Sequence, residues 1–244
     1  MHKRHEMIPS QAMGRHIHVW CYGHFGPPLV VFPSAAGFAH EWDAQGMIEA
    51  LAPLINAGKL KLYCPESNVS HTWTGKGDPA ARVRGHLAYE IFVIKELFPW
   101  IAADCNQERI PIGTAGCSLG GFYAANFALK YPRYVNFALA MSGRYQITHF
   151  TGGFSNADIY FNNPIAYVSN LAGEHLERVR QTQINLVCGR GAWEEGCIEE
   201  TIALGEILVK KGIPNEVDIW GADSAHQWPW WRKQAMFHLN KRFG

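Results

Sequence analysis

The sequence predicts a protein of the α/β class, with a mostly parallel central sheet and helices on both faces. Short apolar runs typical of buried strands alternate with longer stretches whose apolar residues recur at helical spacing. No internal repeat or low-complexity tract interrupts this alternation, and 244 residues are a usual length for one α/β domain. Because alternating strands and helices favour parallel pairing, we expect one domain over residues 1–244.

The strands are predicted from apolar runs bounded by turn residues. The clearest is LVVF at 29–32, which Pro33 stops, and IPIGTAGC at 110–117 is the next clearest. The full set of predicted strands covers residues 17–22, 29–32, 60–64, 110–117, 137–141, 184–188 and 217–220. In a parallel sheet the functional site lies beyond the carboxyl ends of the strands, so the residues just after each strand are the first to inspect.

The helices are predicted from apolar stripes and stop signals. Residues 79–102 carry one stripe, residues 47–57 end at Gly58, and residues 119–131 end before Pro132. Two further helices are predicted at 198–211 and 230–241. Residues 143–181 break the alternation with aromatic and polar side chains, and we expect them to form an excursion between two strands that packs over the site.

Composition and charge exclude several functional classes. The formal net charge is +1 with scattered Lys and Arg, which argues against a nucleic-acid surface or a polybasic membrane patch. No apolar stretch is long enough to span a bilayer, and no apolar run follows the basic N-terminus, so a cytoplasmic location is expected. The six cysteines lack CxxC pairing and are expected to be reduced and buried. The sequence gives no indication of oligomeric state.

The central motif is GCSLGG, a G-x-S-x-G sequence around Ser118. A strand candidate precedes it and a helix candidate follows it, which is the context that a nucleophile elbow requires. Gly116 and Gly120 remove side chains that would collide in so tight a turn. The turn would expose the Ser118 hydroxyl at a helix N-terminus, where the backbone N–H of Leu119 could donate to a developing oxyanion.

A serine nucleophile needs a base, and His226 is the predicted one. In enzymes that use this turn, the acid and then the histidine follow the serine along the chain. His226 lies in WGADSAHQWPWW, a few residues after the last predicted strand and before the closing helix. Of the other later histidines, His149 and His175 fall in the excursion and His238 falls inside a helix.

The acid of the triad should follow the strand at 184–188, where the loop reads GRGAWEE. We choose Glu194, with Glu195 second and Asp223 third, and the sequence does not decide which of the three turns inward. A second oxyanion donor is expected from the small-residue loop PSAAGF after LVVF, as the N–H of Ala35 or Ala36. His40, Glu41, Trp42 and Asp43 would then surround the pocket mouth.

These motifs together resemble the putative esterase family of the α/β-hydrolase superfamily, which includes esterase D-like and antigen 85-like enzymes. The resemblance covers most of the chain and is carried by FPSAAGFAHEWD, GCSLGG, YFNNPIAY, GRGAWEE and WGADSAHQWPWW. It implies the α/β-hydrolase fold and hydrolysis of carboxylic esters by Ser118, His226 and Glu194, without metal or organic cofactor. Two departures are Gln227, where many relatives have Asp, and Glu in place of the commoner Asp as the triad acid.

The predicted function is therefore a serine esterase that acts on a small-molecule ester through an acyl-enzyme. Two alternatives are an acyltransferase that uses the same residues and a non-catalytic binding protein that retains the fold. A metal-binding version is disfavoured because there is no HExxH helix and no clustered Cys/His spacing. The ester itself is left open, although tryptophans could line an aromatic pocket; the candidates are Trp42, Trp73, Trp193, Trp228 and Trp230.

Overall fold

A single eight-stranded sheet organises the protein, and the computed structural model describes all 244 residues. The strands, in chain order, are β1 Lys3–Ser10, β2 Arg15–Tyr22, β3 Pro28–Phe32, β4 Lys61–Pro65, β5 Ile112–Cys117, β6 Val135–Met141, β7 Gln183–Cys188 and β8 Asn215–Ile219. Their spatial order is β1-β2-β4-β3-β5-β6-β7-β8. Only β2 runs antiparallel to its neighbours, and all other pairs are parallel. The predicted α/β class and mostly parallel sheet are confirmed.

Strand β1 is absent from the predicted set, and its surroundings explain why. It is an edge strand that pairs only with β2, from Lys3 opposite Tyr22 to Ser10 opposite Arg15. Its sequence KRHEMIPS buries only Ile8 and Ser10. A strand that covers so little of the core lacks the apolar alternation by which strands are recognised in a sequence.

The helices, in chain order, are α1 Glu41–Ala44, α2 Met47–Ala50, α3 Ala52–Asn56, α4 Pro79–Ile91, α5 Phe98–Asp104, α6 Leu119–Lys130, α7 Ala157–Tyr160, α8 Pro164–Tyr167, α9 Gly173–Val179, α10 Cys197–Lys210 and α11 Trp228–Phe243. A π-helical stretch, Phe92–Leu97, joins α4 to α5. The helix predicted at 47–57 is two short helices, because Pro53 has no N–H to donate to the carbonyl of Glu49. None of the helices combines the length and apolarity needed to cross a bilayer.

Helices cover both faces of the sheet. On one face, every residue of α6 from Leu119 to Leu129 is buried, and α4 and α5 join the same core. On the other face, α11 contributes Trp231, Ala235 and Leu239 to a second core with α2 and α3. Each face therefore buries its apolar side chains, which is what a central parallel sheet requires.

The excursion, residues 143–181, is held to the helices beneath it by a buried polar contact. It contains α7, α8 and α9, and Asn162 lies between the first two. The Asn162 Oδ1 atom accepts hydrogen bonds from Asn126 Nδ2 at 2.8 Å and from Lys130 Nζ at 2.9 Å, and it lies 3.2 Å from His86 Nε2. Because Asn126 and Lys130 belong to α6, the excursion is anchored to the helix that directly follows Ser118.

A buried ion pair extends this network. The Glu90 Oε1 atom lies 2.5 Å from Lys130 Nζ and 3.4 Å from His86 Nε2, and its partner oxygen accepts from Tyr131 at 3.2 Å. Burial by itself would raise the pKa of Glu90, but the hydrogen bonds and charges of His86 and Lys130 outweigh it. The pKa of Glu90 is therefore lowered.

Glu90→Gln is expected to lower the free energy of unfolding by about 3–5 kcal/mol at pH 7, because it leaves the Lys130 charge buried without its partner. The lowered pKa adds a pH dependence. The contribution of Glu90 is complete above its usual pKa of 4.5 and is lost as the pH falls through the lower folded-state value. Urea denaturation between pH 7 and pH 3 should show a shallower pH slope for the variant than for the wild type.

The matched control is Glu177→Gln, which removes a carboxylate that is 65% exposed and paired with Arg180 on the surface. Its effect should stay below about 1 kcal/mol. A Glu90→Gln variant with the wild-type pH slope and an equally small loss would contradict the assignment of Glu90 to a stabilising buried pair.

Candidate active site

Ser118 occupies the sharp turn between β5 and α6. Its backbone has φ 57° and ψ −122°, a conformation that is strained for a residue with a side chain. The flanking glycines make the turn possible: a Cβ on Gly116 would lie 2.2 Å from the Gly120 carbonyl oxygen, and a Cβ on Gly120 would lie 2.3 Å from the Phe32 carbonyl oxygen. Both contacts involve main-chain atoms, which cannot move aside as a flexible side chain could. The hydroxyl is half-buried at the carboxyl edge of the sheet.

His226 lies in the loop between β8 and α11, and its ring reaches Ser118. The His226 Nε2 atom is 3.0 Å from Ser118 Oγ, which is hydrogen-bonding distance. The indole of Trp231 packs edge-on against the imidazole, with ring centroids 4.8 Å apart, and so restricts its rotation. The structure thus brings the predicted nucleophile and the predicted base into contact.

Glu194 is the carboxylate that meets the other side of the imidazole. Its Oε2 atom is 3.0 Å from His226 Nδ1, and the side chain is only 1% exposed. The other carboxylate oxygen, Oε1, accepts hydrogen bonds from the Ser142 hydroxyl at 2.6 Å and from the Gly189 N–H at 3.4 Å. Glu195 and Asp223, the other two candidates, are exposed and contact neither Ser118 nor His226.

The acid loop and the histidine loop are joined by main-chain contacts that explain the glycines of GRG. The Gly191 N–H donates to the Ser224 carbonyl at 2.8 Å, and the His226 N–H donates to the Ala192 carbonyl at 2.9 Å. A Cβ on Gly189 would lie 1.8 Å from the Ser224 carbonyl oxygen. Glycine is therefore required for the two loops to approach closely enough for the Glu194–His226 hydrogen bond.

Ser142 is a site residue that the sequence analysis missed. It directly follows β6, and its hydroxyl accepts from Trp231 Nε1 at 3.0 Å while it donates to Glu194. Its φ of 50° places it in the left-handed region, which directs the chain away from the strand and towards Glu194. The rule that site residues follow strand ends could have identified Ser142, because it directly follows the predicted strand at 137–141.

The loop after β3 carries Ala35 and Ala36, the two candidates for the second oxyanion donor. Ala35 lines the same cavity as Ser118, and its N–H makes no hydrogen bond in the protein. The N–H of Ala36 instead points to Ser34 Oγ at 3.4 Å. Glu41 fixes the loop, because its carboxylate accepts from the Ser34 N–H at 2.6 Å and from the Ser34 hydroxyl at 2.5 Å. Of the two alternatives, the geometry favours Ala35.

The expected surroundings of the pocket need correction. Glu41 and Trp42 are buried beneath the loop and do not lie at the mouth. The cavity measures about 540 Å³ and is lined by Ser34, Ala35, Gln45, Ser118, His226, Gln227, Trp228, Pro229, Trp231 and Arg232. Trp228 is the only one of the five candidate tryptophans in this lining. Trp42 and Trp73 are buried in the two cores and do not line the cavity.

Two other histidines that follow Ser118 in the sequence have hydrogen-bond partners elsewhere in the protein. His238 is fully buried on α11, where its Nε2 atom lies 3.0 Å from Asp218 Oδ2. His175 lies 2.9 Å from the Leu129 carbonyl oxygen. Neither makes a hydrogen bond to Ser118, whereas the His226 ring lies 3.0 Å from its hydroxyl.

One group of side chains has donor atoms close enough to share an ion: Glu194, Cys197 and His226 lie within 4.8 Å of one another. Burial and the nearby Glu194 charge raise the pKa of the Cys197 thiol to about 12. Within this group, the Glu194 Oε2 and His226 Nδ1 atoms are already hydrogen-bonded to each other at 3.0 Å.

A serine at a strand–helix elbow, within reach of a histidine on the last loop of a mostly parallel sheet, defines a serine hydrolase of the α/β-hydrolase fold. The family model described as "Putative esterase" matches residues 10–241. The chain therefore belongs to the putative esterase family and is a carboxylic ester hydrolase, as its motifs predicted.

Solved structures support the fold over nearly the whole chain. A ferulic acid esterase is 17% identical with a TM-score of 0.77, over 99% of this chain and 97% of that one. MPT51 of Mycobacterium tuberculosis is 18% identical with a TM-score of 0.75, over 99% and 97%. An S-formylglutathione hydrolase from Agrobacterium tumefaciens is 15% identical with a TM-score of 0.73, over 99% and 95%. Among curated protein sequences, none matches this chain.

Proposed function

We propose that Ser118, His226 and Glu194 form a catalytic triad that hydrolyses a carboxylic ester through an acyl-enzyme. The observation that carries this proposal is the continuous chain from Ser118 Oγ through the imidazole to the buried carboxylate, with both distances at 3.0 Å. Three groups of these types in this order are what an activated serine requires.

In the first half-reaction His226 Nε2 removes the proton from Ser118 as its oxygen attacks the ester carbonyl carbon. Glu194 accepts the Nδ1–H hydrogen bond, which fixes the tautomer that leaves Nε2 free to accept and stabilises the imidazolium that forms. The imidazolium then protonates the departing alcohol as the C–O bond of the ester breaks. The product of this half is an acyl group on Ser118 and a neutral His226.

Two backbone N–H groups would stabilise the oxyanion in this mechanism. Leu119 follows Ser118 at the N-terminus of α6, where the first N–H groups of a helix have no partner within it. Ala35 supplies the second from the opposite wall of the cavity. Each such donor contributes about 2.7–4 kcal/mol to transition-state stabilisation in comparable serine enzymes.

Access of water favours hydrolysis over transfer of the acyl group to another acceptor. Ala35 is exposed and Ser118 is half-buried, so solvent reaches the oxyanion loop and the nucleophile. In the second half-reaction His226 removes a proton from water, the resulting oxygen attacks the acyl carbon, and the proton returns to Ser118 as the acid departs.

A fluorophosphonate probe tests the proposal, because it phosphonylates only a serine that a base activates. Labelling followed by peptide mass spectrometry should find the adduct on Ser118 and on no other serine. Ser142 is the internal comparison, since its hydroxyl also lies in the site but donates to a carboxylate and is fully buried. Absence of labelling at Ser118, or labelling at another serine, would contradict the triad.

A cytoplasmic location is proposed alongside this function. It is supported by the cysteines, since all six are free thiols and five of them are buried. Reduced thiols of this kind are usual where glutathione and thioredoxin keep cysteines reduced.

A further inference from the structure

Arg232 lines the catalytic cavity and has no acidic partner. It lies in the second turn of α11, and the cavity it faces is the one that contains Ser118 and His226. Its one hydrogen bond runs from NH1 to the carbonyl oxygen of Gln45 at 2.7 Å. A guanidinium group has five N–H donors, so most of its donors face the cavity or solvent without a partner in the protein.

Arg232 is the one permanently charged side chain in the lining of the cavity. None of its ten lining residues is Asp or Glu. Three acids of neighbouring segments are engaged with other partners: Glu194 hydrogen-bonds the imidazole, Glu41 holds Ser34, and Asp43 pairs with Lys3 at 2.5 Å. The N-terminus of α11, which carries no acidic residue in its first turn, also borders the cavity and adds a partial positive charge.

The hydrogen bond to Gln45 restricts where the guanidinium group lies. The Arg232 side chain packs along the loop at Gly46, where a Cβ would lie 3.9 Å from Arg232 Cδ. An arginine held in this way loses little conformational freedom when it binds a ligand, which increases the net gain from each new hydrogen bond. The arrangement suits recognition of a fixed negative group at a set place in the cavity.

We propose that Arg232 binds a negatively charged group on the substrate, so that this enzyme prefers esters that carry a carboxylate or a similar anion away from the scissile bond. The inference rests on the proposed function, because it assigns a substrate class to the same Ser118 site. A cavity of about 540 Å³ holds a small ester together with such a group.

Two matched pairs of esters test the preference. Mono-4-nitrophenyl adipate and 4-nitrophenyl hexanoate have acyl chains of six carbons and differ in a terminal carboxylate, while 4-acetoxybenzoate and methyl 4-acetoxybenzoate place the difference on the leaving group. For each pair the measured quantity is the ratio of kcat/KM for the anionic ester to that for the neutral one. We expect the wild-type ratio to exceed one in at least one pair, and Arg232→Gln to reduce that ratio about 10- to 100-fold, mainly through KM.

Two further variants separate recognition from general charge and from folding. Lys233→Gln removes the same charge from the next residue of α11, whose ammonium lies over the Trp230 ring outside the cavity, and should keep the wild-type ratio. Arg232→Lys keeps a cation and should restore part of the ratio. Thermal melts of all variants would show whether loss of the Gln45 contact also lowers the melting temperature.

The outcomes are distinct. An Arg232→Gln enzyme that hydrolyses the neutral esters and keeps the wild-type ratio in both pairs would overturn the inference and leave the triad intact. A wild-type ratio at or below one in both pairs would do the same. Failure of the wild type to hydrolyse any of the four esters, together with no fluorophosphonate labelling of Ser118, would overturn the proposed function and this inference with it.

Discussion

Ser118→Ala is expected to lower kcat for a 4-nitrophenyl ester about a millionfold, the loss typical when the nucleophile of a serine triad is removed. The reason is chemical rather than structural. Alanine lacks the oxygen that forms the acyl-enzyme, while the cavity, the oxyanion N–H groups and the His226–Glu194 hydrogen bond stay in place. The residual rate should come from those donors and from binding alone.

The loss is measured with purified enzyme from the increase in absorbance as 4-nitrophenolate is released. Ser155→Ala is the matched control, because Ser155 is an exposed serine in the excursion that makes no hydrogen bond. Its activity should equal that of the wild type. A Ser118→Ala enzyme within tenfold of the wild type would mean that another residue or another mechanism cleaves the ester.

Glu194→Gln is expected to lower kcat about ten-thousandfold, as replacement of a triad carboxylate by its amide does elsewhere. The two side chains have the same shape, so packing against Ser142 is retained. An amide N–H placed opposite His226 Nδ1 would make that nitrogen the acceptor and leave the proton on Nε2. The imidazole could then no longer accept the proton of Ser118.

The neighbouring residue provides the control. Glu195→Gln changes the same residue type one position away, on an exposed side chain that contacts no member of the site. Its kcat should stay within about twofold of the wild type, in line with the small effects of most surface substitutions. Equal losses in both variants, or a large loss only in Glu195→Gln or Asp223→Asn, would assign the acid differently.

The contrast between Ser118 and Glu194 shows what a sequence can and cannot specify here. The elbow is a local feature: its glycines, the strand before it and the helix after it are close together in the sequence, so the pattern alone predicts the position of Ser118 in the turn. The acid depends on which way a loop turns. Trp193 adopts a φ of 69°, a conformation that bulky residues rarely take, and this turn buries Glu194 while it exposes Glu195.

The features that the sequence did not predict depend on contacts between segments that are distant along the chain. Ser142 and Trp231 are 89 residues apart, and their hydrogen bond to one another forms only because β6 ends beside the start of α11. The strand-end position marks Ser142 as a candidate, but no local pattern pairs it with Trp231. Strand β1 escaped prediction for a related reason, because its place at the sheet edge removes the alternating burial that the other strands show.

The two edges of the sheet have a consequence for how separate copies of this protein meet. Edge strand β1 carries Lys3, Arg4 and Glu6, and Pro9 near its end lacks an N–H. The opposite edge, β8, presents Glu216 and Asp218, both partly exposed. A strand from a second molecule that added to either edge would have to bring charged side chains together or desolvate them. The ladder is thereby protected at both ends against edge-to-edge aggregation, so concentrated protein should resist growth into extended intermolecular sheets.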